Sequence, residues 1–362
     1  MRARTPPALP VRPVAAVPLS IQGAARVRRV SILMPCRDAA PHLGAAIASI
    51  RAQTFTDYEV LAVDDGSTDE TFALLRGWAG EDGRVRVLQA HGRGLVAALA
   101  TGLAAAAGTL VARMDADDIA APDRLERQLA LMDADPRIAA CGTGVEYFPP
   151  GEVQAGARRY EEWINGLTTH ERIARDIFVE CPIPHPTLMV RRHVLLGIGG
   201  YRELGWPEDY DVVLRLWAAG YRMAKVPDVL LRWREGPDRA SRTDARYADA
   251  EFRRIKIHFL RRTLLAGGRA AIVAGAGPIG KTFARELHAA GTPIAAFLDL
   301  DPNRIGQEIH GAPVLEYHAL PGFLARRPLV LAAVGQEGAR EEIRGTLRRH
   351  GLVELDDFVA VA

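Results

Sequence analysis

From Val30 onward the chain alternates short apolar runs with segments of helical pattern. Val30 to Met34, Val60 to Val63, Val85 to Leu88 and Leu110 to Met114 have the length and composition of strands. Pro41 opens one intervening helix, and Asp69 with Glu70 opens another. Strands separated by helices imply a parallel sheet, in which ligands sit beyond the carboxyl ends of the strands. After Tyr147 the rhythm becomes irregular to about Asp238, as expected of a substrate-specific lobe. A basic helical stretch covers about Thr243 to Leu265, and Ala270 to Ala274 then begins a second βαβ pattern. The divisions predicted are an N-terminal extension over 1–29, a first α/β domain over 30–238, a basic connector over 239–267 and a second small α/β domain over 268–362. Gly267 and Gly268 mark the last boundary, because glycine ends helices and loosens linkers.

Composition narrows the classes. With 48% hydrophobic and 25% charged residues among 362, the chain is globular, and the length suits two domains or three small ones. The net charge of +2 gives no sign of nucleic-acid binding, but it conceals opposed regions. Residues 30–238 hold 22 basic and 30 acidic side chains, whereas 239–267 hold eight basic and three acidic. In that connector Phe252, Ile255 and Phe259 recur at helical spacing. Such a helix either touches an anionic membrane surface through 243–265 or packs its apolar face on a domain. Cys36, Cys141 and Cys181 lie far apart, which fits a reducing cytoplasm rather than a disulfide or zinc framework. The location expected is cytoplasmic, with a peripheral position at the inner face of the membrane if the connector makes that contact. Residues 1–29 contain no acid, and Arg12, Pro13 and Pro18 interrupt any apolar core, so they read as a flexible extension and not a signal peptide. The uncharged run from Gly94 to Ala112 is mostly Ala, Gly and Thr, and reads as a buried helix followed by a strand.

Acidic residues collect at the strand ends. Val63-Asp64-Asp65-Gly66-Ser67-Thr68-Asp69 places two adjacent carboxylates before a turn, where one can accept from a nucleobase ring N–H. Taken alone, the segment is equally a turn followed by a helix cap. Met114-Asp115-Ala116-Asp117-Asp118 puts three acids within four positions, whose repulsion a divalent cation and a diphosphate relieve together. Mg²⁺ or Mn²⁺ suits such oxygen donors.

Met34-Pro35, Gln53-Thr54-Phe55, Val63 to Asp69, Gly94-Leu95 with Gly102, Asp115 to Asp118 and Pro122-Asp123-Arg124-Leu125 occur in an order that resembles the family 2 inverting glycosyltransferases of the GT-A fold. The likeness runs from Val30 to about Arg234. It implies a Rossmann-like mixed sheet, with Asp65 reading the donor base and Pro35 and Arg37 lining base and ribose. It also makes Asp117 the metal ligand and Asp115 its donor-binding companion. The chain departs from many relatives in having Leu99 and Ala100 in the loop helix. Arg93 becomes the candidate diphosphate contact, with an ordinary surface arginine as the alternative.

Inversion by direct displacement needs a carboxylate to take the acceptor hydroxyl's proton. Gly205-Trp206-Pro207-Glu208-Asp209-Tyr210-Asp211 matches the family's acidic pair before an amphipathic helix, which makes Asp209 the candidate base and Glu208 its support or an acceptor contact. Acids at a helix start also occur for dipole reasons alone. Pro184-His185-Pro186 and Gly199-Gly200-Tyr201 resemble positions lining the acceptor pocket, although His185 equally suits a buried structural role. Trp206 can stack on a sugar face or belong to the core.

The last region carries Gly275-Ala276-Gly277-Pro278-Ile279-Gly280 directly after a strand and at a helix start, with Asp299 ending the next strand about 20 residues on. That context suits a nucleotide or an NAD(P)-like ligand. The stretch resembles the small Rossmann-like domains found beside sugar-modifying enzymes; the alternative is a degenerate unit kept for packing or oligomerisation. The expected activity is metal-dependent transfer of a sugar from a nucleotide-sugar donor to a hydroxyl of a glycan or lipid-linked acceptor in cell-surface polysaccharide biosynthesis. The rivals are an NAD(P)-dependent nucleotide-sugar oxidoreductase and a non-catalytic nucleotide-sugar sensor.

Overall fold

The structure is a computed structural model that describes residues 28–237, 239–336 and 338–362. The extension predicted over 1–29 therefore lies almost wholly outside the described residues. Among those described, strands fall into two sheets and the chain into two compact units. The first unit takes 28–169, Ile183–Leu204 and Arg215–Pro237, and the second takes His170–Pro182, Gly205–Leu214 and the described residues after Pro237. The connector and two short stretches of the expected first domain thus cluster with the C-terminal region.

The first sheet contains β1 (Val30–Cys36), β2 (Tyr58–Asp64), β3 (Val85–Gln89), β4 (Leu110–Arg113), β5 (Ile119–Ala120), β6 (Ile138–Phe148), β7 (Met189–Arg191) and β8 (Arg222–Arg234). Their order is β3-β2-β1-β4-β7-β6-β8-β5. The four runs read from the sequence are β1 to β4, all parallel where they pair. β1, β2 and β4 are buried along their whole length, with both faces covered, whereas the edge strand β3 exposes Arg86 and Gln89. Val30, Ile32, Met34 and Cys36 face the main core with Leu43 and Leu129 from the helices Ala40–Arg51 and Arg124–Ala134. On the other face Gly102, in the helix Leu95–Ala105, lies so close that a Cβ there would sit 2.0 Å from Leu33 Cδ1.

Beyond β4 the sheet is mixed, since β7 runs antiparallel to β4 and β6, while β6 and β8 are parallel. Of these two long strands, β8 lies in the region whose pattern looked irregular. The cause is Pro227, which cannot donate to a ladder. The register breaks there, with Thr143 opposite Val226 and Gly144 opposite Val229.

The second sheet holds β9 (Ala271–Ala274), β10 (Ile294–Leu298), β11 (Glu308–Ile309), β12 (Ala312–Leu315), β13 (Leu329–Ala332) and β14 (Phe358–Ala360), in the order β11-β12-β10-β9-β13-β14. Every pairing is parallel except β11 with β12. The basic helix Asp249–Arg262 buries Ile255, Ile257, Phe259 and Leu260 within this unit. Even Lys256 is buried, donating to Val179 O at 2.7 Å and Val361 O at 3.2 Å. Of the two alternatives for this stripe, Ile255 and Phe259 follow the packing one, buried in protein rather than presented to a surface. Arg254, Arg261 and Arg262 are the exposed part. Among the described residues no helix is long and apolar enough to cross a membrane.

A buried ion cluster ties the stretch 170–182 into the second unit. Arg344, fully buried, bonds Asp176, Glu354 at 2.7 Å and Glu341 at 2.6 Å. Burial works to raise the Asp176 carboxyl, but Arg344 and Arg175 outweigh it and hold it below the usual range. Its stabilisation is present above the ordinary carboxylate value and is lost as pH falls through the lowered one. Replacement Arg344→Met strands a buried carboxylate and should cost about 3–5 kcal/mol at neutral pH. The gap from wild type in urea unfolding should narrow below about pH 4, where Asp176 can protonate in the variant.

Candidate active site

The carboxyl ends of β1 and β2 are joined by Asp65 N donating to Cys36 O at 2.9 Å. The turn that follows divides its acids between two tasks. Asp64 folds back to accept from Gly66 N and Ser67 N, and Asp69 accepts from Ala40 N and Thr71 N. Hydrogen bonding from Thr71 keeps the Asp69 carboxyl below its ordinary range. The turn-and-cap reading thus describes Asp64 and Asp69. Asp65 is left for the sheet edge, where Gly94 N reaches both its oxygens at 2.8 and 3.0 Å and Arg37 Nη1 lies 3.5 Å away. Gly94 has φ +93°, a conformation that suits glycine and aims this N–H. Arg93 stands exposed between Gly92 and Gly94, and Pro35 is buried within β1.

At the exit of β4, Asp115 and Asp117 are both partly exposed while Asp118 is buried. Asp118 accepts from Arg234 N at 2.8 Å, and Arg234 Nε donates to Asp117 O at 2.9 Å, so the end of β8 clamps the acidic loop. Asp115 is pinned from below. Arg113, 1% exposed, donates to Asp115 Oδ1 at 2.5 Å, to Met114 O at 2.8 Å and to Leu33 O at 3.3 Å. Its Nε also donates to His185 Nε2 at 3.3 Å, and His185 lies 3.4 Å from the Tyr201 hydroxyl. A second buried arginine, Arg124, donates to Arg113 O and to Gln128 at 3.2 Å. Burial pulls its pKa down to about 10. Among the described residues no group of three or more His, Cys, Asp or Glu could hold a metal alone. Asp115 and Asp117 offer hard oxygen donors, suited to a divalent cation whose remaining ligands come from phosphate and water.

Asp209 and Glu208 belong to the second unit, at the first turn of the helix Glu208–Ala218. Glu208 is fully buried, whereas Asp209 is partly exposed. Trp206 is also buried, with the Arg254 guanidinium 4.7 Å above its ring and His258 5.1 Å away. The structure therefore groups Pro35, Arg37, Asp65, Arg93, Asp115, Asp117 and His185 in one unit, and Trp206, Glu208 and Asp209 in the other.

The glycine loop lies between β9 and the helix Pro278–Ala289. Gly275 has φ +115°, and a Cβ on Gly280 would sit 1.8 Å from Gly275 O. Asp299 serves the loop itself: Oδ2 accepts from Ala276 N at 2.7 Å and Arg304 at 3.2 Å, while Oδ1 accepts from Leu300 N and Asp301 N. Gly277 alone of the three leaves room, since its Cβ would meet only Arg304 Nη1 at 3.7 Å.

Sequence reading missed Arg113 and Arg234, and it gave Arg124 no role beyond its place in a motif. A signal existed for Arg113: an arginine inside an apolar strand must find a partner, and the nearest acid is two residues on. Arg234 carries no such mark, because only the mixed half of the sheet brings it to the acidic loop.

A family model described as glycosyl transferase family 2 matches residues 31–197. The amylovoran biosynthesis glycosyltransferase AmsE of Erwinia amylovora is 30% identical over 198 residues, covering 54% of this chain and 72% of that one. The O-antigen biosynthesis glycosyltransferase WbnJ of Escherichia coli is 28% identical over 190 residues, or 52% and 71% of the two chains. Among solved structures, S. aureus TarS 1-349 in complex with UDP superposes with a TM-score of 0.51 at 18% identity, over 72% of this chain and 70% of that one. The fold is thus a mixed α/β fold similar to that of known glycosyltransferases. The chain belongs to glycosyl transferase family 2.

Gly280→Ala should lower the thermal unfolding midpoint, because the clash is with backbone, whereas Gly277→Ala should unfold like wild type. Differential scanning fluorimetry of both variants checks this contrast.

Proposed function

We propose that this family 2 enzyme is a metal-dependent inverting glycosyltransferase. It moves a sugar from a nucleoside-diphosphate sugar to a hydroxyl of a glycan or lipid-linked acceptor in cell-surface polysaccharide biosynthesis. The observation that carries this reading is the arrangement of Asp65, Asp115 and Asp117 at the exits of β2 and β4, the two parallel strands that flank β1, with Asp65 held by Gly94 N and Asp115 by buried Arg113. Carboxylates fixed by donors on their inner side present their remaining lone pairs outward. Asp65 accepts from the base, with Pro35 and Arg37 beside it. Asp115 and Asp117 hold ribose and a Mg²⁺ or Mn²⁺ ion, and Arg93 reaches the diphosphate. A bound divalent cation neutralises the charge that develops on the nucleotide leaving group. Asp209, the exposed member of its pair, takes the acceptor's proton, and His185 with Trp206 shapes the acceptor side.

The relatives named for amylovoran and O-antigen biosynthesis support the polysaccharide assignment. Strand order and the glycine loop support reading the second unit as a Rossmann-like domain of nucleotide-binding type, with Asp299 engaged in building its loop. Three buried free thiols support a reducing, cytoplasmic location, and burial pushes the Cys141 thiol up to about 12.

Nucleoside diphosphates and nucleotide sugars, UDP-GlcNAc and GDP-mannose among them, should raise the melting temperature in the presence of Mn²⁺ and lose that effect with EDTA. Asp117→Asn should abolish the metal-dependent shift. Asp209→Asn should keep it and lower transfer by about 10²–10⁴-fold, as expected for removal of a general base. An active Asp209→Asn enzyme would refute the base.

A further inference from the structure

Glu208 raises a physical problem that the reading above leaves open. Its carboxylate is fully buried, directly beside a second acid that must stay ionised to act as a base. A buried charge persists only where donors surround it. Those visible come from the connector. The Tyr247 hydroxyl lies 2.9 and 3.0 Å from the two Glu208 oxygens, and Arg246 Nη1 lies 3.6 Å from Oε2.

The connector is built to hold these two groups still. Asp244 caps the short turn Ala245–Tyr247 by accepting from Arg246 N at 2.9 Å, and the same carboxylate grips the Arg246 guanidinium through Nε at 3.0 Å and Nη2 at 2.6 Å. The Tyr247 ring packs 6.5 Å from Phe252, which lies 6.0 Å from Tyr210, the residue after Asp209. Tyr210 in turn donates to Ile177 O at 2.5 Å. Burial, followed by the Glu208 charge, lifts the Tyr247 phenol well above its ordinary value, so it remains a donor.

We propose that Tyr247 and Arg246 are positioning residues for sugar transfer, acting through Glu208 to fix and electrostatically support the helix turn that carries Asp209. The connector then belongs to the acceptor-side machinery and is more than a spacer between domains. This inference rests on the assignment of Asp209 as the base. It assigns no contact with donor or acceptor to either residue, so their loss should affect turnover and spare donor binding.

The test uses the full chain with Tyr247→Phe, which deletes one oxygen, together with Glu208→Gln, the double variant and Asp209→Asn. Release of nucleoside diphosphate from UDP-GlcNAc and GDP-mannose is followed with Mn²⁺ and a panel of alkyl glycosides, and binding of UDP with Mn²⁺ is read by thermal shift. Tyr247→Phe should lower kcat by about tenfold or more, the worth of one hydrogen bond to a charged group, with donor KM and the UDP shift unchanged. In the double variant the loss should be no greater than in Glu208→Gln alone, because the phenol acts only through that carboxylate. Arg246→Lys, which keeps the charge, should retain more activity than Arg246→Met. Wild-type kcat in Tyr247→Phe, or losses that multiply in the double variant, would overturn the positioning role while Asp209→Asn stays inactive. Retained transfer by Asp209→Asn would instead overturn the reading on which it rests.

Discussion

Like charges gathered in one place repel, and the architecture depends on how each carboxylate is answered. At the strand exits of the first unit the answers come from below and beside: Gly94 N and Arg37 for Asp65, Arg113 for Asp115, and Arg234 for the backbone of Asp117 and the side chain of Asp118. Arg113 is almost wholly withdrawn from water, which makes its charge worth more to its partners than a surface arginine's. The acids can therefore stand together at one edge of the sheet, held by fixed donors rather than left as mobile side chains.

The second unit solves the same problem with different chemistry. Asp299 is neutralised mainly by backbone N–H groups of its own loop, Asp176 by a buried guanidinium, and Glu208 by a phenol and a guanidinium from the connector. In each case a segment distant in sequence is fastened by one charged hydrogen-bond set. Breaking such a set leaves an uncompensated buried ion, which costs more than the interaction itself contributes.

Much of this was legible in the sequence, and the reasons differ by region. The first four strands announce themselves because a doubly covered parallel sheet demands unbroken apolar runs, and the acids stand out because they follow those runs directly. β8 was hidden by Pro227, which interrupts its pattern and breaks its register with β6. The connector's apolar residues were visible, but amphipathicity alone does not distinguish a lipid surface from a protein one. Burial of Ile255, Lys256 and Phe259 decides for protein. The glycine loop and Asp299 were picked out by spacing, but the hydrogen bonds that tie Asp299 to Ala276 N and Arg304 were not legible, since a ribose-binding acid and a loop-building acid occupy the same position. The role of Arg113 lay one inference away, in the cost of burying a guanidinium.

The clustering of His170–Pro182 and Gly205–Leu214 with the C-terminal half bears on how such enzymes can diversify. A single crossover at the glycine pair 267–268 would leave Glu208 and Trp206 with Tyr247, Arg254 and His258, but one at residue 238 would divide them. A chimaera made by recombination or by protein engineering therefore has to carry the two short inserts and the connector as one inherited block.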